Sequence, residues 1–134
     1  MPFLRFIIAR KHPDSGVSEG VFATAYRLRD AAETSRQDRE ILKGHLKWFA
    51  THLKIPSRFN RSSSKGFYRK NTKGIAWFRD DALEYLSRMH DIKRVLEANG
   101  EIVEVLQEER LGYIVYTDEV QVIAEPFADT RTRL

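Results

Sequence analysis

The stretch RFNRSSSKGFYRKNTKG, residues 58 to 74, carries six lysines and arginines and no Asp or Glu, with aromatics at Phe59, Phe67 and Tyr68. Cations at short, irregular intervals can follow a phosphate backbone, and a ring among them can stack on an unpaired base. The residues suited to that chemistry are Arg58, Arg61, Lys65, Phe67, Tyr68, Arg69, Lys70 and Lys73. Gly66 and Gly74 allow the backbone to turn close to a ligand. The competing expectation is a polar loop folded back by Pro56 and its aromatics, its charges meeting Glu101, Glu104, Glu108 and Glu109.

Charge distribution sharpens the question. From Lys54 to Arg79 there are eight cations and no acid, so against a whole-chain net charge of +4 the remainder carries −4. A mildly acidic body with one basic segment can focus a field on a polyanion. KGFY matches the first three positions of an RNA-recognition signature and then departs from it, with Tyr68 in the Gly/Ala position and Arg69-Lys70 in apolar ones. The wider order of elements does not fit that domain either.

Other chemistries are weaker. The chain has no cysteine, which excludes disulfides, thiolate metal sites and a Cys nucleophile. His45 and His52 are two helical turns apart, about 10.5 Å along an axis, too far to share one zinc ion. His45, Trp48 and His52 read as amphipathic residues flanking a buried stripe, and His12 and His90 also read as structural. Ser62, Ser63 and Ser64 lack a nucleophile elbow, and SSSKG lacks the phosphate-loop order. Asp118, Glu119 and Glu125 are the best carboxylate set, but Pro126 and Phe127 follow where a metal-dependent nuclease would place a lysine. No catalytic residue, metal ligand or cofactor motif is assigned.

These residues need elements to place them. FLRFIIAR predicts an interior strand, with Leu4, Phe6 and Ile8 on one face and Phe3, Arg5 and Ile7 on the other. Val17, Val21, Ala25, Leu28 and Ala32 predict a helix from Ser18, its N-cap, to about Ala32. Ser35 caps a second helix, with Asp38 at the capping-box position; Leu42, Leu46, Phe49 and Leu53 form its inward row, and it ends before Pro56.

After the basic segment, GIAWF is a short apolar run. Asp80 or Asp81 caps a third helix whose stripe is Ala82, Leu86, Met89, Ile92 and Leu96, with Gly100 at its C′ position. IVEVL is a strand, and YIVYTDEVQVIAEP is a hairpin split at Thr117-Asp118. The fold class is therefore two-layer α+β, order β-α-α-α-β-β-β, with a mainly antiparallel sheet packed against helices. A single domain over 1–134 is expected, with a basic loop at about 56–74 and a polar tail at about 128–134.

GIAWFR at 74 to 79 and GYIVYTDEVQVIAEPFADT at 112 to 130 resemble a group of short uncharacterised bacterial proteins that end in a similar run. The resemblance implies a bacterial source and carries no activity with it.

The reading is a non-enzymatic binding protein whose partner is a polyanion, nucleic acid foremost, held by residues 58 to 74. The alternative is a protein–protein adaptor or regulator acting through the hairpin and the tail AEPFADTRTRL, as a homodimer where an edge strand self-pairs. A metal-dependent hydrolase or nuclease comes third. The start has only a short apolar run broken by Arg5, and no stretch approaches a membrane span, so no membrane partner and a cytoplasmic location are expected.

Overall fold

The computed structural model describes residues 2–9, 20–55 and 74–127. Among these the elements run β1 (Phe3–Ile8), α1 (Val21–Asp30), α2 (Arg36–His52), β2 (Ile75–Arg79), α3 (Leu83–Ala98), β3 (Val103–Glu108), β4 (Tyr113–Thr117) and β5 (Gln121–Glu125). The α+β class holds, and the sheet is antiparallel throughout, with spatial order β3-β1-β2-β5-β4. One element is added to the expected order: the GIAWF run is itself a strand, β2, seated in the middle of the sheet.

Strand alternation assigns the two faces. Phe6, Ile8, Phe78 and Val103 join Val21, Ala25 and Leu28 of α1, Leu42, Leu46 and Phe49 of α2, and Leu86, Met89, Ile92 and Leu96 of α3 in the main core. The helices therefore cover this face. The other face buries Ile7, Trp77, Leu106, Val122 and Ala124, with Leu111 beside them. Two apolar faces explain why β1 and β2 read as near-continuous hydrophobic runs.

Helix ends differ in how well the sequence announced them. The Ser35 hydroxyl accepts from the Asp38 N–H at 3.1 Å, the expected N-cap. The Asp38 carboxylate does not close the box; it accepts instead from Asn99 Nδ2 at the end of α3, also at 3.1 Å, tying α2 to α3. Gly100, at φ 91°, occupies C′ of α3. Its N–H donates to the Glu97 carbonyl and that of Glu101 to Leu96, a Schellman closure.

Two caps are corrected. α1 begins after Gly20 with no side-chain cap, Ser18 lies outside the described residues, and Ala32 lies beyond the helix and exposed. α3 is entered from Ala82, also without a side-chain cap, so neither Asp80 nor Asp81 caps it. Leu83 N–H donates to the Asp81 carbonyl, a backbone turn that replaces the side-chain cap.

The hairpin strands flank residues 118–120, as expected for a turn beginning at Asp118. Gly112 enters it at φ 122°, so close to Glu125 that a Cβ would lie 1.9 Å from that residue's carbonyl oxygen. The glycine that opens the GYIVYT run thus has a steric reason to be there.

Candidate functional site at the gap between β1 and β2

β1 pairs with β3 along all six of its residues, from Phe3↔Glu108 to Ile8↔Val103. With β2 it pairs only at Phe3↔Arg79 and Leu4↔Phe78. Beyond that point the two central strands part, although β2 keeps its ladder with β5 from Ile75↔Ala124 to Phe78↔Gln121. A gap in the middle of a sheet is a place where backbone and side chains can meet a ligand.

The gap opens into a cleft of about 530 Å³. Its described walls include Ile7 and Ile8 of β1, Val21 and Phe22 of α1, and Met89 of α3. Arg5 Nη1 donates across the gap to the Ala76 carbonyl at 3.2 Å. Burial lowers the pKa of this guanidinium from its ordinary value, because desolvation disfavours its charge. Trp77, 1% exposed, forms another wall, and its indole N–H is buried without a hydrogen-bond partner.

The predicted binding residues Arg58, Arg61, Lys65, Phe67, Tyr68, Arg69, Lys70 and Lys73 lie outside the described residues. Their stems are described, and both reach the cleft: Leu53 lines it just before the segment, and Ile75 just after. The chain leading into the segment is held by Gln121. This buried residue donates its amide Nε2 to the Lys54 carbonyl at 2.8 Å and to Asp118 Oδ2 at 3.2 Å.

Asp118 organises the hairpin tip that carries Gln121. Its carboxylate also accepts from Val120 N–H at 2.9 Å, Gln121 N–H at 3.0 Å and Tyr116 OH at 2.9 Å. Burial alone would raise its pKa, but the hydrogen bonds from Val120, Gln121 and Tyr116 outweigh it and hold the carboxyl below the usual range. Arg79, at the far end of β2, donates Nε to the Asp118 carbonyl at 2.8 Å and its Nη2 to Thr117 Oγ1. Asp118 is the turn former its position implied, and its oxygens are committed to that task.

Glu101 is buried and paired with Arg27 of α1 at 3.1 Å. Glu104 and Glu108 stand opposite Ile7 and Phe3 in the β1–β3 ladder. His45 is more than a filler. Its Nε2 lies 3.2 Å from Asp91 Oδ2 and its Nδ1 3.3 Å from Arg88 Nη1.

Since a guanidinium only donates, Nδ1 must accept and Nε2 carries the proton to Asp91. Desolvation, then the charges of Arg88 and Arg94, lower the His45 pKa, although the Asp91 carboxylate lies beside the ring. Arg88 lies over the Trp48 ring at 4.3 Å, and His52 stacks on that ring at 4.2 Å. His90 meets the Phe6 ring edge-on at 5.0 Å, and His12 lies outside the described residues.

Among the described residues no three His, Asp or Glu side chains gather as metal donors, and no helix is long and apolar enough to cross a membrane.

Sequence reasoning did not single out Arg5, Trp77 or Gln121. Arg5 was visible only as a charge interrupting an apolar strand. Gln121 was visible only as a polar residue between valines. Comparison with protein families, curated proteins and solved structures finds no match for this chain.

Proposed function

We propose that this protein is a non-enzymatic binding protein that grips a polyanion, single-stranded nucleic acid foremost, through residues 58 to 74. The observation that carries the reading is charge segregation: eight cations and no acid between Lys54 and Arg79, on a chain whose remainder is net −4. Cations gathered on one segment of an otherwise acidic body draw a polyanion to that segment. The anchoring of Lys54 by Gln121, and of Arg79 by the hairpin tip, supports the reading by fixing where the segment starts and where β2 ends.

The test is a fluorescence-anisotropy titration with labelled single- and double-stranded oligonucleotides at several salt concentrations. With half of the six cations engaged, the slope of log K against log salt is about −2, at roughly −0.7 per phosphate contact on single strands. Tyr68→Ala weakens single-strand binding by about 1–3 kcal/mol through lost stacking and leaves duplex binding unchanged. Equal losses on both forms would remove the stacking role.

A second reading rests on β4. It has a ladder only with β5 among the described strands, carries no charged residue and exposes Ile114 at 56%. Such an edge suits a protein partner or a second copy of the chain. Concentration-dependent sedimentation with no affinity for nucleic acid selects this reading.

A further inference from the structure

The neighbouring helices α2 and α3 handle charge in opposite ways. Every Lys and Arg of α3 sits about a turn from an acid that pairs with it: Arg88 with Glu84 at 3.3 Å, Lys93 with Glu97 at 2.9 Å, and Arg94 with Asp91. On α2 the last acid is Glu40, and beyond it Lys43 and Lys47 stand exposed one turn apart. Among the described residues neither lysine makes an ion pair.

This arrangement works against the helix. Like charges at i and i+4 repel, and the exposed Gly44 between them lowers helix propensity further. A Cβ at Gly44 would meet no atom within 4 Å, so packing does not call for the glycine. The helix dipole does not call for the lysines either, because it acts over the last turn, where the basic residue is His52. A ligand with a row of negative charges accounts for all three: two cations to pair with it, and a bare position that lets it come close.

The two lysines also open the basic tract. No Asp or Glu occurs from Ile41 to Arg79, and Lys43 and Lys47 with the eight cations from Lys54 onward make ten. The tract therefore begins on α2, and Gln121 fixes the point where it leaves by holding the Lys54 carbonyl at 2.8 Å. From Lys43 to the end of α2 is about 13.5 Å along the axis, roughly the rise of four stacked nucleotides.

We propose that the exposed side of α2, through Lys43 and Lys47 with Gly44 between them, is a docking track for single-stranded nucleic acid leading up to Lys54. The track rests on the polyanion reading and extends its footprint onto a helix.

The probe is labelled oligothymidylate of about 20 nucleotides, beyond the roughly 4–16 that one single-strand-binding module covers. Lys43→Gln/Lys47→Gln should make the slope of log K against log salt shallower by about 1.4, at roughly 0.7 per contact. Lys43→Arg/Lys47→Arg should keep the parent slope, and so should Lys93→Gln on the balanced helix α3. Glutamine is a good helix former at these exposed positions, so the fold is kept. Bound oligomer should also shield Lys43 and Lys47 from amine acetylation, read by mass spectrometry, while Lys93 reacts as before.

A slope unmoved by the Lys43→Gln/Lys47→Gln pair, or lysines acetylated equally with and without oligomer, would overturn the track. If the slope still responds to Arg69→Gln/Lys70→Gln, the polyanion reading stands without it. No binding by the parent chain at low salt would overturn both.

Discussion

The two sides of β1 are built differently. Towards β3 every residue has a ladder partner, and Phe6 and Ile8 face Val105 and Val103 in the main core. Towards β2 the ladder stops after Leu4, and a side chain, Arg5, reaches the Ala76 carbonyl where a neighbouring strand would otherwise sit. Closed ladders satisfy backbone groups and pack side chains, which makes stability. The open side leaves a cleft with a largely desolvated cation in its wall. One strand serves both purposes because the alternation of its side chains is independent of which edge is paired.

The largest expected effect tests the packed side of that contrast, beneath the helices. Phe49 is buried against Phe22, Phe78 and Tyr85. Phe49→Ala should cost about 3–5 kcal/mol. His52→Ala, which loses a stack on Trp48 at the surface, should cost clearly less. Urea unfolding measures both, and equal losses would mean that the inward face of α2 is not where the core is.

A second pair of substitutions probes the sheet itself. Leu106 stands opposite Arg5 on the closed side and is buried. Leu106→Ala should cost about 2–5 kcal/mol. Ile75, partly buried at the mouth of the cleft, should cost less than half as much on truncation to alanine. Matching losses in thermal unfolding would mean that the gap is packed as tightly as the ladder and would remove the distinction between the sides.

The smallest effect is a pH dependence at the α2–α3 seam, a closed region that nonetheless titrates. His45 has a folded-state pKa below its ordinary value, so the unfolded chain takes up the proton first. Its contribution to stability is therefore fully present above about pH 6.5 and is lost as pH falls from there through the lowered folded value. Urea midpoints at pH 7.5 and at pH 5.5 should differ more in the parent chain than in His45→Gln. An unchanged difference would place the titrating group elsewhere.

How much of this was legible in the sequence depends on how local each feature is. The stripe Leu42, Leu46 and Phe49, the Ser35 cap and the Gly100 stop are set by neighbours within a turn or two of chain, and all three stand in the fold. β2 was not assigned because five residues of apolar sequence have no period long enough to separate strand from loop. The absence of a side-chain cap on α3 follows from Ala82 taking the position that Asp80 and Asp81 seemed suited to.

The gap was not legible at all. It arises from register between residues about seventy-five apart in sequence, and the Gln121 bond to Lys54 likewise spans sixty-seven. Charge, by contrast, survives any folding, and the basic segment was read from composition alone.

The measurement closest to the central claim compares the salt dependence of single-strand binding in the parent chain and in the Arg69→Gln/Lys70→Gln variant. If residues 58 to 74 grip phosphates, removing two cations makes the slope of log K against log salt shallower by about 1 to 1.5, whatever the oligonucleotide sequence. No binding at low salt, or the same slope in both proteins, would contradict the grip.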